Sequence, residues 1–303
     1  MPKWMVVFII LFFVWVVLYS VKEVREQNQQ LRSAGMVVIQ GGCYEMGDHF
    51  GKGGEDERPV HAVCVDPFYL GKYEVTTGEF RQFAQETGYQ TEAERSDGCE
   101  IRAGGDFMRD RKKNWRNPGF AQTERDPVVC VSWNDASQYI GWMKKKSPKK
   151  AMEYRLPTEA EWEFAARERG KLIQYPGLNE MPSENTADES FKRTFPDMKI
   201  WIGYNDGYVF TSPAGSFRPA EQGLYDIDGN VNEWIQDRYG EDVYKEGPKT
   251  NPAGPSTGRF RVIRGGSWAD EPVKIRLSAR QKKEPGYRSN TVGFRLALPL
   301  TER

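Results

Sequence analysis

Arg264-Gly265-Gly266-Ser267-Trp268, followed by Asn290-Thr291-Val292-Gly293-Phe294-Arg295-Leu296-Ala297, is the stretch that decides the fold. Two consecutive glycines ahead of a serine and a tryptophan mark a tight turn, and the second segment reads as a final strand. A core needs both for packing. Between them runs a charged segment that begins Ala269-Asp270-Glu271-Pro272-Val273-Lys274-Ile275-Arg276. No cysteine follows Cys130 anywhere in the chain.

Working outward, the opposite end is a different kind of sequence. Trp4 to Val21 is almost wholly apolar and carries no charge. About 18 residues at ~1.5 Å each span roughly 27 Å, enough for a hydrocarbon core. The competing reading, a cleaved signal peptide, expects a shorter apolar run ending in small residues, whereas this one ends Leu18-Tyr19-Ser20-Val21-Lys22. The reading is therefore a transmembrane anchor over 1–22, a polar stalk over 23–35 and one soluble domain over 36–303. Trp4, Trp15 and Tyr19 suit an interfacial belt.

Charge is balanced, with 43 basic and 43 acidic residues, so no attraction to nucleic acid is implied. Thirty glycines, 18 prolines and 13% aromatics favour a loop-rich fold pinned by aromatic packing. The four cysteines, Cys43, Cys64, Cys99 and Cys130, all precede the midpoint. An even count beside an anchor fits two disulfides in an oxidising compartment. Three pairings are possible; 43–64 with 99–130 is preferred because each closes a local loop. Four free thiols in a cytoplasmic domain is the alternative. A zinc site is disfavoured, since no C-x-x-C pair exists.

Local signals place several elements. Alternation around Val37 and Ile39 predicts a strand, and His61 to Tyr69 another. Thr76 with Glu79 forms a capping box for a helix through Phe80 and Phe83. A long polar loop is expected from Glu92 to Pro127, then a buried strand over Val128 to Trp133 and a helix from Asn134. The lysine-rich run 144–150 reads as a solvated helix end, or alternatively as a patch for anionic lipid. Arg155 to Arg167 (RLPTEAEWEFAAR) predicts a helix capped by Thr158, with glutamates at its positive end and Trp162, Ala165 and Ala166 inward.

Six blocks now stand in order: Gly41 to Gly47, Tyr73 to Thr76, Pro127 to Ala136, Arg155 to Arg167, Gly223 to Trp234, and the closing segment. Together they resemble the formylglycine-generating enzyme (sulfatase-modifying factor) family across nearly the whole soluble body. The resemblance implies a single α+β domain with little regular secondary structure, related to C-type lectins.

Family membership implies fold more firmly than activity. Enzymes of this family bind copper through two cysteines placed just after the Gly-Gly-Ser-aromatic turn. Copper(I) is soft and wants thiolates, and this chain has none there. A related branch uses iron held by three histidines, whereas only His49 and His61 exist here. The expectation is neither copper nor iron. The family's calcium sites carry over better. One maps to Asn185, Thr186 (carbonyl), Asp206 and Tyr208 (carbonyl). The other maps to Asp226, Gly229 (carbonyl), Val231 (carbonyl) and Glu233. Such hard oxygen ligands suit Ca²⁺.

The functional expectation is a membrane-anchored, non-enzymatic domain in the periplasm or outside the cell. It would bind a protein or a glycan, or serve in an envelope complex. Arg264, Asp270, Glu271 and Arg276 form its candidate contact surface. Two alternatives stand beside it: different acid–base chemistry at those four residues, and, least favoured, a true oxidase using the upstream cysteines.

Overall fold

The computed structural model describes residues 29, 31, 34–146, 152–175, 184–247 and 249–300. The predicted anchor, most of the stalk and the end of the lysine run lie outside the described residues. Among the described residues no helix is long and apolar enough to cross a membrane.

The strands are β1 (Met36–Ile39), β2 (Gly42–Met46), β3 (His61–Val65), β4 (Phe68–Gly71), β5 (Cys99–Ala103), β6 (Asp106–Asp110), β7 (Asn232–Arg238), β8 (Lys249–Thr250), β9 (Arg261–Arg264), β10 (Gln281–Lys283), β11 (Val292–Gly293) and β12 (Ala297–Pro299). They assemble as β1-β4-β12, β10-β9-β7-β11, β2-β3-β8 and the hairpin β5-β6. The fold is the expected α+β type with short elements and long connections.

The closing segment ties two sheets together. β11 runs parallel to β7, and β12 runs antiparallel to β4. The predicted single strand therefore divides at Phe294-Arg295-Leu296, and each half joins a different sheet. Phe294 is fully buried in the largest core cluster, with Phe80, Phe83, Trp115, Tyr139 and Trp234. Leu31, at the end of the predicted stalk, packs into the same cluster.

Both helices predicted from capping threonines form where expected. Helix Thr77–Thr87 starts at Thr76, whose backbone N–H donates to Glu79 Oε2 at 2.8 Å. Helix Glu159–Ala166 starts at Thr158, with Glu161 completing the box. The two predicted disulfides are present, Cys43–Cys64 across β2 and β3 and Cys99–Cys130.

Two expectations fail locally. Val128 to Val131 is fully buried but is not a strand. Its donors go elsewhere, Val128 N–H to the Val75 carbonyl and Cys130 N–H to that of Ser289. Cys130 also turns the chain through a left-handed φ of 61°, which breaks any ladder. The region read as a long loop holds a short helix, Glu92–Arg95, and the β5-β6 hairpin. That hairpin exposes both faces, so it shows no apolar alternation to read.

Candidate functional site

Two buried polar regions meet at Gly265, which with Gly266 adopts positive φ (98° and 75°). A Cβ on Gly266 would lie 2.3 Å from Ile275 Cγ2, so glycine is required to seat the segment that follows.

The first region is built on helix Glu159–Ala166. All eight of its residues are buried, including three glutamates. Each glutamate meets arginine. Glu163 accepts from Arg167 at 2.9 Å and from Arg264. Glu159 accepts from Arg280 at 2.7 and 2.9 Å, and Glu161 takes both Arg155 nitrogens at 2.6 Å. Arg264 also donates to the carbonyls of Leu277, Ser278 and Ala279. Arg276 pairs with Glu57 at 2.6 and 2.7 Å. Burial pushes the Glu163 carboxyl up, but Arg167 and Arg264 outweigh it and hold the group below its usual range.

This changes the predicted contact surface. Arg264 and Arg276 are 1% and 4% exposed, clamped inside rather than presented outside. The buried glutamates draw them in, because an unpaired carboxylate there would be costly. Asp270 is also buried; it accepts from Ser267 Oγ at 2.7 Å and Asn232 Nδ2 at 2.8 Å. Ser267 and Asn232 therefore brace a turn. Glu271 alone of the four stays partly exposed, 3.5 Å from Lys199. Exposed apolar side chains that the sequence did not flag stand near this pair along the chain. Val273 is two residues on, and Ile202 is three beyond Lys199. Phe107 is carried by Arg102, which stacks on its ring and donates to the Ala269 carbonyl.

The second region contains the residues implied as calcium ligands. Asp226, Gly229 and Asn230 all have positive φ, which folds 226–230 into a sharp turn. The two implied sites abut. Asn230 N–H donates to the Asn185 carbonyl at 2.7 Å, and Asn185 Nδ2 donates to Asn230 Oδ1 at 3.2 Å and to the Phe210 carbonyl. In the first implied site, Asp206 accepts the N–H groups of Thr186 (3.0 Å) and Tyr208 (2.7 Å). In the second, both Glu233 oxygens are engaged, with Arg295 at 2.7 Å and Trp162 Nε1 at 2.9 Å.

Three further carboxylates surround this turn without having been singled out: Glu74, Glu184 and Asp228, each 1% exposed or less. Glu74 accepts from Asn230 Nδ2 and the Val231 N–H. Both Asp228 oxygens, Asp226 Oδ1, Glu184 Oε2 and Asn185 Oδ1 are buried without a hydrogen-bond partner. Arg295 acts on Glu74, Glu184, Asp226 and Glu233, and it is committed to Glu233 and to three carbonyls. Burial pushes Glu74, Glu184 and Asp228 well above the usual carboxylate range, and neighbouring carboxylates add to it. Burial likewise raises Asp226 to about 6 and Asp206 to about 7. Among the described residues no three His, Cys, Asp or Glu side chains form a metal-holding group by themselves. Neutral oxygens would have to complete any coordination sphere here. The bare amide oxygen of Asn185 and the carbonyls of the turn are of the right chemistry.

Small sheets strung on long hydrogen-bonded loops, with an arginine-clamped closing turn, define the class as an α+β domain of the formylglycine-generating type. The chain belongs to the sulfatase-modifying factor enzyme 1-like family, whose description matches residues 21–300. It is 35% identical to the formylglycine-generating enzyme of Streptomyces coelicolor over 290 residues, 87% of this chain and 88% of that one. It is 32% identical to the inactive C-alpha-formylglycine-generating enzyme 2 of Bos taurus, with 88% of each chain covered. Among solved structures it is similar to PvdO from Pseudomonas aeruginosa, at 30% identity and a TM-score of 0.67, covering 88% of this chain and 94% of that one.

Proposed function

We propose that this protein is a non-oxidase member of its family, a binding module anchored by residues 4–21 with its domain in the periplasm or outside the cell. One observation carries this reading. All four cysteines of the chain are consumed in two disulfides, and none stands in 269–276 where the family's enzymes place their copper thiolates. A soft metal has no thiolate to bind. The bovine relative named inactive supports the view that the fold is used without the oxidation. The two disulfides also favour an oxidising compartment.

The partner is a protein of an envelope complex, and the contact surface centres on Glu271, Val273, Phe107 and Ile202. Exposed apolar side chains around one charged pair are the features that a protein interface uses. The decisive experiment gives the purified domain copper(I), oxygen and a cysteine-containing peptide. The expected result is no aldehyde captured by a hydrazide probe; catalytic aldehyde formation overturns the reading. Affinity purification of the full chain in mild detergent then identifies the partner, and recovery of a lone monomer counts against the complex.

The domain also binds structural Ca²⁺ through the region around Asn185 and Asp226. The bare, buried oxygens there support this, since each uncompensated polar group costs free energy that a cation would recover. Bound calcium would supply counter-charge and fix the turn, with no part in chemistry. Calorimetric titration with Ca²⁺ tests it, and no measurable heat or stabilisation overturns it.

A further inference from the structure

We propose that the charged ligands of this cation are Glu184 and Asp228, joined by the amide oxygen of Asn185. Neither carboxylate belongs to the ligand sets that the family resemblance implies. The inference rests on the calcium reading above and deepens it.

The geometry separates two kinds of acidic residue in this region. Asp206 and Glu233 have each oxygen already fixed by N–H donors, two backbone amides for one, Arg295 and Trp162 for the other. They are satisfied without a metal. Asp228 is the opposite case: fully buried, with neither oxygen hydrogen-bonded. Glu184, Asn185 and Asp226 each leave one buried oxygen bare, but the other Asp226 oxygen is already held by the Gly215 N–H at 2.8 Å. These residues are brought together by the backbone. Gly229 packs so closely on Asn185 that a Cβ there would lie 2.3 Å from its carbonyl oxygen. The amide nitrogen of Asn185 is pinned by Phe210 and Asn230, which fixes which end of that side chain is left bare. Of the charges acting on Glu184, Asp228 is the strongest. Two carboxylates and neutral oxygens in a dry site favour Ca²⁺ over Mg²⁺, which gives up its waters reluctantly.

The test uses the full chain in mild detergent, titrated calorimetrically with Ca²⁺ and melted with and without chelator. D228N and E184Q are expected to bind Ca²⁺ at least about tenfold more weakly than the parent. D228N is further expected to melt higher than the parent when both are stripped of metal, because it removes a buried carboxyl group with no cation beside it. A merely structural Asp228 would not produce that reversal. D206N serves as the comparison. Full affinity in D228N and E184Q, with affinity lost in D206N, overturns this proposal and leaves the calcium reading standing. Absence of Ca²⁺ binding by the parent overturns both.

Discussion

Two acidic interiors lie on either side of one glycine pair, and they are solved differently. On the Arg264 side, Glu57, Glu159, Glu161 and Glu163 each face at least one guanidinium within 3 Å. On the Gly229 side, Glu74, Glu184, Asp226 and Glu233 share Arg295, while the carboxylate acting on Asp228 is Asp226. In the first, the chain supplies an arginine to each of these four glutamates, although Arg264 Nε is left bare. The second is incomplete, with bare oxygens in the dry interior. Burial alone therefore says little about a carboxylate; what matters is which cation answers it. Arginine makes the first region part of the scaffold. Bare buried oxygens make the second a candidate ligand site.

The sharpest way to break this contrast is to remove a carboxylate from the completed side. Glu163→Gln leaves Arg167 buried without its carboxylate and Arg264 with Glu159 alone, 3.6 Å away. Removing one partner of a buried pair costs about 3–5 kcal/mol. Equilibrium urea unfolding should show that loss. A cost under about 1 kcal/mol would mean that the arginine network is incidental to the closing segment.

Next in size is Gly229→Ala, on the unfinished side. The new methyl would meet the Asn185 carbonyl at 2.3 Å, at a φ of 96° that alanine resists. A cost of about 1–3 kcal/mol is expected from the strained backbone. If instead thermal unfolding is unchanged, the tight join between Asn185 and the 226–230 turn is not real.

Asp226 and Glu163 should also answer pH with opposite signs. Asp226 is raised from 3.8 to about 6. In that window the folded chain holds a proton that the unfolded chain has lost. Stability of the metal-stripped protein therefore falls as pH rises, by about 1.4 kcal/mol per pH unit for one such group. Asp206, raised to about 7, extends the same slope towards neutrality. Glu163, held low, contributes stability that is present above its unfolded value of 4.5 and lost as pH falls through its folded one. Urea midpoints between about pH 2 and pH 7, with Ca²⁺ and with chelator, separate the two. A downward slope that persists unchanged in saturating Ca²⁺ would mean that no cation neutralises the second region.

How much of this was legible depended on whether the signal was local. Capping boxes at Thr76 and Thr158 are short-range chemistry, and both helices start where those residues put them. The disulfides were readable as loop closures. Val128 to Val131 was apolar enough for a strand, but the left-handed turn at Cys130 is imposed by its bridge to Cys99 and its bond to Ser289. Arg264 and Arg276 were misplaced for a similar reason. Charge in a polar segment suggests surface, and their partners Glu163 and Glu57 lie 101 and 219 residues away. Glu184 and Asp228 carried no periodic or motif signal; only the fold shows that both are dry. The family's ligand positions were legible, but which oxygens remain bare was not.

The smallest expected effect tests the edge of the contrast, where charge is neither buried nor structural. Lys199 is 85% exposed and sits 3.5 Å from Glu271, so solvent and salt screen the pair. Exposed pairs of this kind contribute about 0–1 kcal/mol. Glu271→Lys should therefore shift the unfolding free energy by less than about 0.5 kcal/mol, far below Glu163→Gln, although both residues are glutamates facing a basic side chain. Its consequence belongs to recognition instead. Reversing the charge beside Val273 and Ile202 places two lysines together at the centre of the proposed contact surface. Capture of the partner from detergent-solubilised membranes should drop while the melting temperature holds. If Glu271→Lys destabilises the domain as much as Glu163→Gln does, Glu271 belongs to the scaffold. If stability and capture are both unchanged, the contact surface lies elsewhere on the domain.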